Sequence, residues 1–179
     1  MKTGTVLLVP RLMVAFSCLL LAGTATGQMK LLVHNDFEKG TQKWERRGAD
    51  GVSVKSSKKD AANGKKSLWV QGREEFWQGA QLNVSKMLKA GRNYRFTVSA
   101  KLESGQQPAV LKMTMQRGDD RWDPIAAANT TDARWTTISG DFRPDGGDPY
   151  LLIFVESENP KTSYFLDDFK IEVSGAPAN

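Results

Sequence analysis

The sequence predicts an all-β protein, an antiparallel β-sandwich of the jelly-roll type. Three features indicate this fold: apolar residues alternate with polar ones in many short segments, turn-forming residues separate these segments, and long helical patterns are missing. Alternation with a period of two is typical of half-buried strands. About nine short strands with turns between them, and no intervening helices, are typical of sandwiches and jelly rolls.

The clearest strand prediction covers residues 94–102, where Tyr94, Phe96 and Val98 alternate with polar residues. The same alternation occurs over residues 111–116. Over residues 151–156, Leu151, Ile153 and Val155 are predicted to lie on the face opposite Leu152, Phe154 and Glu156. The remaining strand candidates are residues 31–34, 52–55, 67–71, 76–84, 134–142 and 164–173. Clusters of Gly, Asn, Asp and Pro predict turns at residues 62–65, 118–120 and 144–149. One helical turn is predicted near residues 85–88.

The first 27 residues are predicted to be an export signal. Lys2 and Arg11 make the segment basic, an apolar run follows over residues 12–22, and small residues lead up to Gln28. These three parts are typical of a secretory signal peptide. The apolar run is about half of the ~20 residues that span a bilayer. We therefore expect a secreted protein, extracellular or periplasmic, that is cleaved before Gln28.

Cleavage at this point leaves 152 of the 179 residues, enough for one hydrophobic core. It removes Cys18, the only cysteine, so no disulfide or thiol chemistry is expected in the mature chain. Lipid attachment at Cys18 is an alternative to signal cleavage before Gln28, but Phe16 lies where lipid-attachment sites require a small residue. Residues 28–173 are predicted to form one domain, followed by a short tail, residues 174–179.

The charge balance argues against a nucleic-acid partner. The chain has 25 basic and 20 acidic residues, and loss of Lys2 and Arg11 lowers the formal net charge from +5 to +3. Acidic and basic residues are interspersed, whereas nucleic-acid-binding proteins carry a clustered basic surface. We therefore predict no nucleic-acid partner and, after signal cleavage, no membrane partner.

Few residues of the sequence are typical of a catalytic site. His34 is the only histidine, and no serine lies in a Gly-x-Ser-x-Gly turn. The sequence has no His/Asp/Glu cluster of the kind that catalytic metals require. A glycosidase pair of carboxylates stays open as an alternative, because Asp and Glu are numerous. The prediction is a domain that is not an enzyme, and a small glycoside hydrolase or lyase is the alternative.

Three of the five tryptophans are predicted to be packing residues. Trp44, Trp69 and Trp135 lie beside or within strand candidates. A buried tryptophan contributes a large apolar area to a core, so a role in packing accounts for all three.

Trp77 is the best candidate for ligand binding. It lies in the polar segment Gly72-Arg73-Glu74-Glu75-Phe76-Trp77-Gln78-Gly79. An aromatic ring among hydrogen-bonding side chains suits a sugar, whose C–H face stacks on the ring while its hydroxyl groups bond to polar neighbours. A partly exposed strand residue is the alternative. Trp122, predicted on a loop, is a second and looser candidate.

Glu156 is predicted to need a partner. It shares a strand face with Leu152 and Phe154, and a charge on a partly dry surface is costly when it is unpaired. Hydroxyl groups of a bound sugar, Arg47 or Arg73 would each supply the partner. An ordinary acidic residue at a strand end is the alternative.

Asp167 is predicted to lie on the same strand face as Phe165 and Phe169. An inward carboxylate is costly unless it is paired, protonated or bound to a cation. Glu38 follows the first strand candidate, and pairing of the first and last strands would let Glu38 and Asp167 share a cation such as calcium. A salt bridge to a lysine and hydrogen bonds to loop amides are the alternatives.

Several short motifs occur together in a characteristic order. They are Asn35-Asp36-Phe37-Glu38, Trp44, Arg47-Gly48, Gly64-Lys65-Lys66-Ser67-Leu68, Gly72-Arg73 with Trp77, and Phe165-Leu166-Asp167-Asp168-Phe169. This series resembles the carbohydrate-binding modules of families 4, 9 and 22. The Gly-Arg-x-x-x-Trp segment is most similar to family 22, whose members typically accompany xylanases. The resemblance covers nearly all of residues 28–173.

The resemblance implies a galactose-binding-domain-like jelly roll with a concave groove for a β-linked plant cell-wall glycan, xylan or β-glucan. It also implies glycoside hydrolases as partners on the same polysaccharide. Arg117 and Phe154 stand where those modules tend to carry tyrosines, which puts the identity of the ligand in question. The predicted ligand-binding residues are Arg47, Arg73, Trp77, Arg117, Phe154 and Glu156.

By the same resemblance, Glu38 and Asp167 match a structural calcium site, with the backbone carbonyl of Lys65 as a further ligand. Two other functions stay open beside polysaccharide binding. One is an accessory or degenerate part of a glycoside hydrolase system. The other is a structural sandwich for cell-surface attachment that no longer binds sugar, which the changes at Arg117 and Phe154 favour.

Overall fold

The computed structural model describes residues 28–48 and 50–175, and the regular secondary structure of this part is entirely β-strand. The predicted export signal, residues 1–27, and the last four residues of the predicted tail lie outside it. No helix in the described part is long and apolar enough to cross a membrane.

Eleven strands follow one another along the described residues. They are β1 Met29–Asn35, β2 Glu45–Arg47, β3 Ser53–Ser57, β4 Ser67–Gln71, β5 Gly79–Asn83, β6 Tyr94–Leu102, β7 Ala109–Arg117, β8 Arg121–Thr130, β9 Thr136–Phe142, β10 Leu151–Ser157 and β11 Tyr164–Ser174. The strands form two antiparallel sheets, so the prediction of an all-β antiparallel sandwich of jelly-roll type is confirmed.

The two sheets have a simple order. In the first sheet the order is β3-β4-β11-β6-β9, with β1 pairing along β11, and in the second it is β2-β5-β10-β7-β8. The strands in each sheet alternate between apolar residues, which point into the sandwich, and polar ones, which point away. The core is made by the inward residues, among them Phe96, Val98, Met113, Met115, Ile153, Val155 and Ile171.

Most strand predictions are confirmed, but β8 and β2 were not predicted. β8 lacks a clear alternation because a bulge interrupts its pairing with β7: Met113 pairs with Ala126 and Thr114 with Pro124, which leaves Ile125 extra. The extra residue shifts the period of two by one position. The candidate over residues 76–84 starts too early, because β5 begins at Gly79.

The last strand also contains an irregularity that corrects the predicted position of Asp167. The pairing of β11 with β6 shifts between Asp167 and Lys170, and Asp168 has a positive φ of 48°. Phe169 therefore lies in the core, whereas Phe165 is buried outside the main core cluster. Phe165 and Phe169 are not on one continuous face, so Asp167 does not lie between two core phenylalanines.

The predicted packing tryptophans occupy different environments. Trp44 is 2% exposed in the core, and its ring meets Phe169 edge-on at 4.9 Å. Trp69 is buried but lies outside the main core, stacked on Phe165 with the ammonium group of Lys59 3.5 Å above its ring. Trp135 is half-buried. The predicted packing role is therefore confirmed for Trp44 and Trp69, although Trp69 packs outside the main core cluster.

Candidate functional site

The outer face of the second sheet carries the candidate site, because strand register aligns its outward side chains. Phe154 of β10 pairs with Gln81 of β5 and with Thr114 of β7. Glu156 is the next residue of β10 on the same face, since side chains alternate along a strand. Lys112 of β7 is its register partner.

Arg47 reaches this face from β2, at the edge of the sheet. It pairs with Gly79 of β5, and the next residue of β5, Ala80, pairs with Val155 of β10. A glycine therefore lies between the strand of Arg47 and the strand of Glu156. An added Cβ at Gly79 would lie 2.1 Å from the carbonyl oxygen of Val155 and 2.6 Å from the Tyr164 hydroxyl, so glycine is needed where β5 approaches β10.

A cavity of about 460 Å³ opens at this place. Its lining combines large aromatic rings with one cation and one carboxylate. The lining residues are Arg47, Phe76, Trp77, Thr114, Trp122, Phe154 and Glu156. Cavities that bind small molecules usually combine apolar walls with a few polar groups, and this cavity has that composition.

Three of the aromatic residues in the lining are unusually exposed. Phe76 is 57% exposed, Trp77 40% and Trp122 51%. Their free surface has no packing function in the described structure. Exposed aromatic groups beside polar side chains mark binding surfaces.

Arg47 is held rigidly in the cavity wall. Its guanidinium carbon lies 4.0 Å above the centre of the Phe154 ring, and Nη1 donates to Oε1 of Gln116 at 2.6 Å and of Gln81 at 3.3 Å. Its Nε is buried without a hydrogen-bond partner among the described residues. Burial lowers the pKa of Arg47 from its ordinary value. An arginine stacked and bonded in this way is pre-organised to offer its remaining donors to a ligand.

Glu156 is half-buried and poorly satisfied. Its only hydrogen bond in the described structure comes from the Thr114 hydroxyl, which donates to Oε1 at 3.2 Å. No basic group of that structure lies close enough to form an ion pair with it. Burial raises the pKa of Glu156 above its ordinary value of 4.5, and the Thr114 hydrogen bond and Arg47 oppose this effect. A carboxylate in this state gains from any additional hydroxyl donor.

The comparison with known proteins assigns the chain to a family. A family model described as a carbohydrate binding domain matches residues 29–162, well over half of the chain. The chain belongs to this carbohydrate-binding domain family.

Curated relatives of the domain are parts of much longer proteins. It is 36% identical over 149 residues to "Endo-1,4-beta-xylanase A" of Thermotoga neapolitana, which covers 79% of the chain and 14% of that protein. It is 34% identical over 175 residues to "Endo-1,4-beta-xylanase C" of Paenibacillus barcinonensis, which covers 89% of the chain and 16% of that protein. The chain thus spans about a seventh of the length of these relatives.

A solved structure matches the domain closely. The CBM22-1 xylan-binding domain from Paenibacillus barcinonensis superposes with a TM-score of 0.78 at 34% identity, and the match covers 85% of this chain and 99% of that one. This similarity confirms the predicted relation to family 22 carbohydrate-binding modules. A second xylan-binding domain of family 22 has a TM-score of 0.75 at 24% identity, and it supports the fold alone.

Within the carbohydrate-binding domain, the structure brings together four of the six predicted ligand-binding residues. These are Arg47, Trp77, Phe154 and Glu156. Phe154 forms the floor and offers no free ring face, because it is 2% exposed and covered by the Arg47 guanidinium.

Arg73 was predicted to contact the ligand, but the structure places it behind the cavity wall. It is 2% exposed, and its guanidinium donates to six backbone carbonyls. These belong to Glu75, Phe76, Gln78, Ser157, Asn159 and Thr162. The side chain has no donor left for a sugar. It instead ties the segment that carries Trp77 to the segment after β10.

The Trp77 segment is held from a second side by Gln78. Its side-chain Oε1 accepts the backbone N–H groups of Glu74 at 2.7 Å and Glu75 at 3.1 Å. Gln78 also packs on Gly48, where an added Cβ would lie 2.6 Å from its Cγ, and the φ of Gly48 is +109°. Glycine is therefore needed next to Arg47 for this contact.

Arg117 was also predicted to contact the ligand, but it lies outside the cavity lining. It is 5% exposed and pairs with three carboxylates, those of Asp123, Asp145 and Asp148. These pairs anchor the 144–149 turn against β7. Because Arg117 follows Gln116 on β7, it points to the side of the sheet away from the cavity.

Trp122, Thr114 and Phe76 are the lining residues that the predicted site lacked. Trp122 was predicted on a loop, but it is the second residue of β8 and pairs with Gln116 of β7. The missed strand explains the missed residue. For Phe76, its position beside Trp77 was the available signal.

The predicted cation ligands Glu38 and Asp167 both accept hydrogen bonds from the loop of residues 62–66. Oε1 of Glu38 accepts the backbone N–H groups of Lys65 and Lys66 at 2.6 and 2.8 Å. Oδ2 of Asp167 accepts those of Ala62 and Asn63 at 2.8 and 3.1 Å. Hydrogen bonds to loop amides, one of the alternatives from the sequence, are therefore present.

The pKa values of the two acids shift in opposite directions, although the amide bonds lower both. These bonds hold the pKa of Glu38 below its ordinary value, whereas burial raises the pKa of Asp167 despite its amide partners. The second oxygen of Glu38, Oε2, accepts no hydrogen bond within the described part. Groups of three or more Asp, Glu, His or Cys side chains that could hold a metal do not occur in that part.

Proposed function

We propose that this domain binds a β-linked plant cell-wall polysaccharide, with xylan as the first choice, without catalysing a reaction. The observation that carries the proposal is the cavity on the second sheet. It combines the exposed rings of Trp77 and Trp122 with a rigid Arg47 and an under-bonded Glu156. Sugars have apolar C–H faces and polar rims, so each of these groups has a matching part of a sugar.

The relatives favour xylan among the β-linked glycans. Two relatives at 34–36% identity are named endo-1,4-beta-xylanases, and the matching solved domain at 34% identity is described as xylan-binding. A more distant relative in Ruminococcus flavefaciens, 28% identical, is named xylanase/beta-glucanase. Mixed-linkage β-glucan is accordingly the second choice of ligand.

The cavity supports binding rather than hydrolysis. A glycosidase needs two carboxyl groups on either side of the scissile bond, about 5–10 Å apart. Glu156 is the single carboxylate in the cavity lining. We therefore expect no release of reducing ends from xylan or β-glucan above a heat-treated control. Release that a Glu156→Gln substitution abolishes would contradict this part of the proposal.

We further propose that the domain is exported and acts beside glycoside hydrolases on the same polymer. The proposal for export rests on the basic, apolar and small-residue parts of the first 27 residues. The proposal for the partners rests on the xylanase names of the relatives. Neither nucleic acid nor membrane is a proposed partner.

Affinity electrophoresis against soluble polysaccharides tests the proposed function. We expect xylan in the gel to retard the mature domain, mixed-linkage β-glucan to retard it less, and an α-linked glucan to have no effect. Equal mobility in all gels by a protein that circular dichroism shows to be folded would contradict binding. That result would favour the structural sandwich without a sugar ligand.

Affinity for xylan should fall at low pH because Glu156 becomes protonated. Ligand hydroxyls bond best to the charged carboxylate, so binding is full above the raised pKa of Glu156 and is lost as the pH falls through it. Glu156→Ala should weaken binding by about 1.5–3 kcal/mol, the contribution of a hydrogen bond to a charged group. Titrations at several pH values measure both effects.

Glu156→Gln is the control that separates binding from folding. It keeps the shape of the side chain but removes the charge, so the pH dependence of affinity should disappear. Removing a half-buried and under-bonded carboxylate should leave the melting temperature unchanged or raise it. A variant that keeps the pH dependence of the original domain would remove Glu156 from the site.

Calcium is proposed as a structural ion that Glu38 and Asp167 would hold together with the carbonyl of Lys65. The donor set fits, because all three would supply oxygen, the ligand atom that calcium prefers, and Glu38 has an unbonded Oε2. The proposed ligand set has two side-chain carboxylates and one backbone carbonyl, so it does not require a cluster of three or more acidic side chains. When bound, the ion would tie the loop of Lys65 to the first and last strands.

Chelation tests the calcium proposal. At a hundredfold excess over its dissociation constant, an ion bound only by the native state stabilises it by about 2.7 kcal/mol. For a domain of this size we expect a chelator to lower the melting temperature by roughly 5–10 °C, with recovery on adding calcium. Identical melting curves would leave the loop amides as the partners of both carboxylates.

A further inference from the structure

A second cavity adjoins the first on the outer face of the second sheet. Its volume is about 330 Å³, and it shares Thr114, Trp122 and Glu156 with the first. One ring, that of Trp122, thus borders both cavities. The residues that line only the second one are Lys112, Pro124, Ile125, Ala126 and Ala127.

The bulge in β8 shapes the floor of this second cavity. Because Ile125 is extra in the pairing with β7, the residue after Pro124 that faces outward is Ala127, in register with Lys112. Ile125 and Ala126 pack partly against the core, whereas Pro124 and Ala127 are exposed. The result is an apolar shelf, made of Pro124, Ile125, Ala126 and Ala127.

The side chains of the apolar shelf offer no hydrogen bonds. Proline lacks a backbone N–H group and alanine has only a methyl group. The ammonium group of Lys112 forms an ion pair with Glu158 in the structure. A sugar hydroxyl over these four side chains would therefore find no partner among them, whereas a small apolar group would gain contact with the shelf.

We propose that the apolar shelf takes an O-acetyl group carried by the sugar unit that stacks on Trp122. An acetyl ester is small enough for a floor of alanine and proline, and its methyl group matches their chemistry. The ring of Trp122 joins the shelf to the first cavity, so one glycan chain would reach both. This inference rests on the proposed binding of a polysaccharide in the first cavity.

The experiment compares one ligand with and without its esters. Soluble xylan oligosaccharides that carry O-acetyl groups are titrated into the mature domain before and after mild alkaline removal of the esters. We expect about fourfold tighter binding of the acetylated preparation, the effect of burying about one methyl group. Ala127→Gln should remove this preference, because its amide fills the shelf. Ala133→Gln, at an exposed position of the turn before β9, is the matched control and should keep it.

The outcomes separate this inference from the proposed function. Binding of both preparations with equal affinity, or a preference that Ala127→Gln retains, would overturn the role of the shelf and leave polysaccharide binding intact. A folded domain that binds neither preparation would overturn both. Tighter binding of the acetylated oligosaccharides that is lost only in Ala127→Gln supports the shelf.

Discussion

Replacing Trp77 by alanine is expected to abolish measurable binding to xylan while the domain stays folded. Trp77 is 40% exposed and lines the cavity, so its ring contributes to a ligand surface rather than to the core. Aromatic residues at the centre of a binding site commonly contribute at least about 2 kcal/mol. That loss weakens binding about 30-fold and moves a dissociation constant near 100 μM into the millimolar range.

Trp69→Ala is the matched control for this experiment. Trp69 is buried against Phe165 on the first sheet, away from the cavity lining. Its loss should lower the free energy of unfolding by up to about 3–5 kcal/mol, as for other buried tryptophans, and leave xylan affinity unchanged. If Trp77→Ala unfolds the domain, Trp77 is a packing residue. If the variant folds and keeps full affinity, the proposed site is misplaced.

Replacing Arg73 by methionine is expected to destabilise the domain strongly. The substitution leaves six backbone carbonyls without their shared donor, in a region where Arg73 itself is 2% exposed. Breaking a buried charged network typically costs about 3–5 kcal/mol. The melting temperature should fall by roughly 6–20 °C. Xylan affinity should fall too, because the hydrogen bonds from Arg73 to the carbonyls of Glu75, Phe76 and Gln78 hold the segment of Trp77 in place.

Arg121→Met is the control for the loss of an arginine. Arg121 is half-exposed, and its ion pairs with Asp145 and Asp148 have lengths of 3.8 and 3.6 Å. Exposed pairs of this kind contribute about 0–1 kcal/mol. Thermal denaturation measures both variants. Equal and small shifts for Arg73→Met and Arg121→Met would show that the carbonyls around Arg73 find other partners and that Arg73 does not organise the loop.

The sequence predicted the fold well where one periodicity runs through a whole strand. β6 alternates without interruption, β7 and β10 pair with each other without a register shift, and the inward residues of all three form the core. β8 and the middle of β11 were misread because each contains a bulge. A bulge changes which residues face the core without any change in composition, so a pattern of alternation alone does not reveal it.

Only part of the site was predicted from the sequence, because the strand that carries Trp122 contains a bulge. Arg47, Trp77 and Glu156 reach one cavity from three strands or loops, as the resemblance to family 22 implied. Trp122 was undervalued because its strand was not recognised. The role of Arg73 depends on the carbonyl groups of Ser157 and Thr162, which are far along the chain. The sequence around Arg73 does not predict these contacts. Arg117 follows Gln116, which contacts Arg47, and neighbouring residues of a strand lie on opposite faces.

Calorimetric titration of the mature domain with soluble xylan oligosaccharides tests the central claim most directly. The cavity is open and the ligand is flexible, so ordering of the glycan offsets part of the contact energy. We expect one site with a dissociation constant on the order of 10 μM to 1 mM, and no binding by Trp77→Ala under the same conditions. A folded domain that binds no xylan, or one whose affinity does not change with Trp77→Ala, would contradict binding in this cavity.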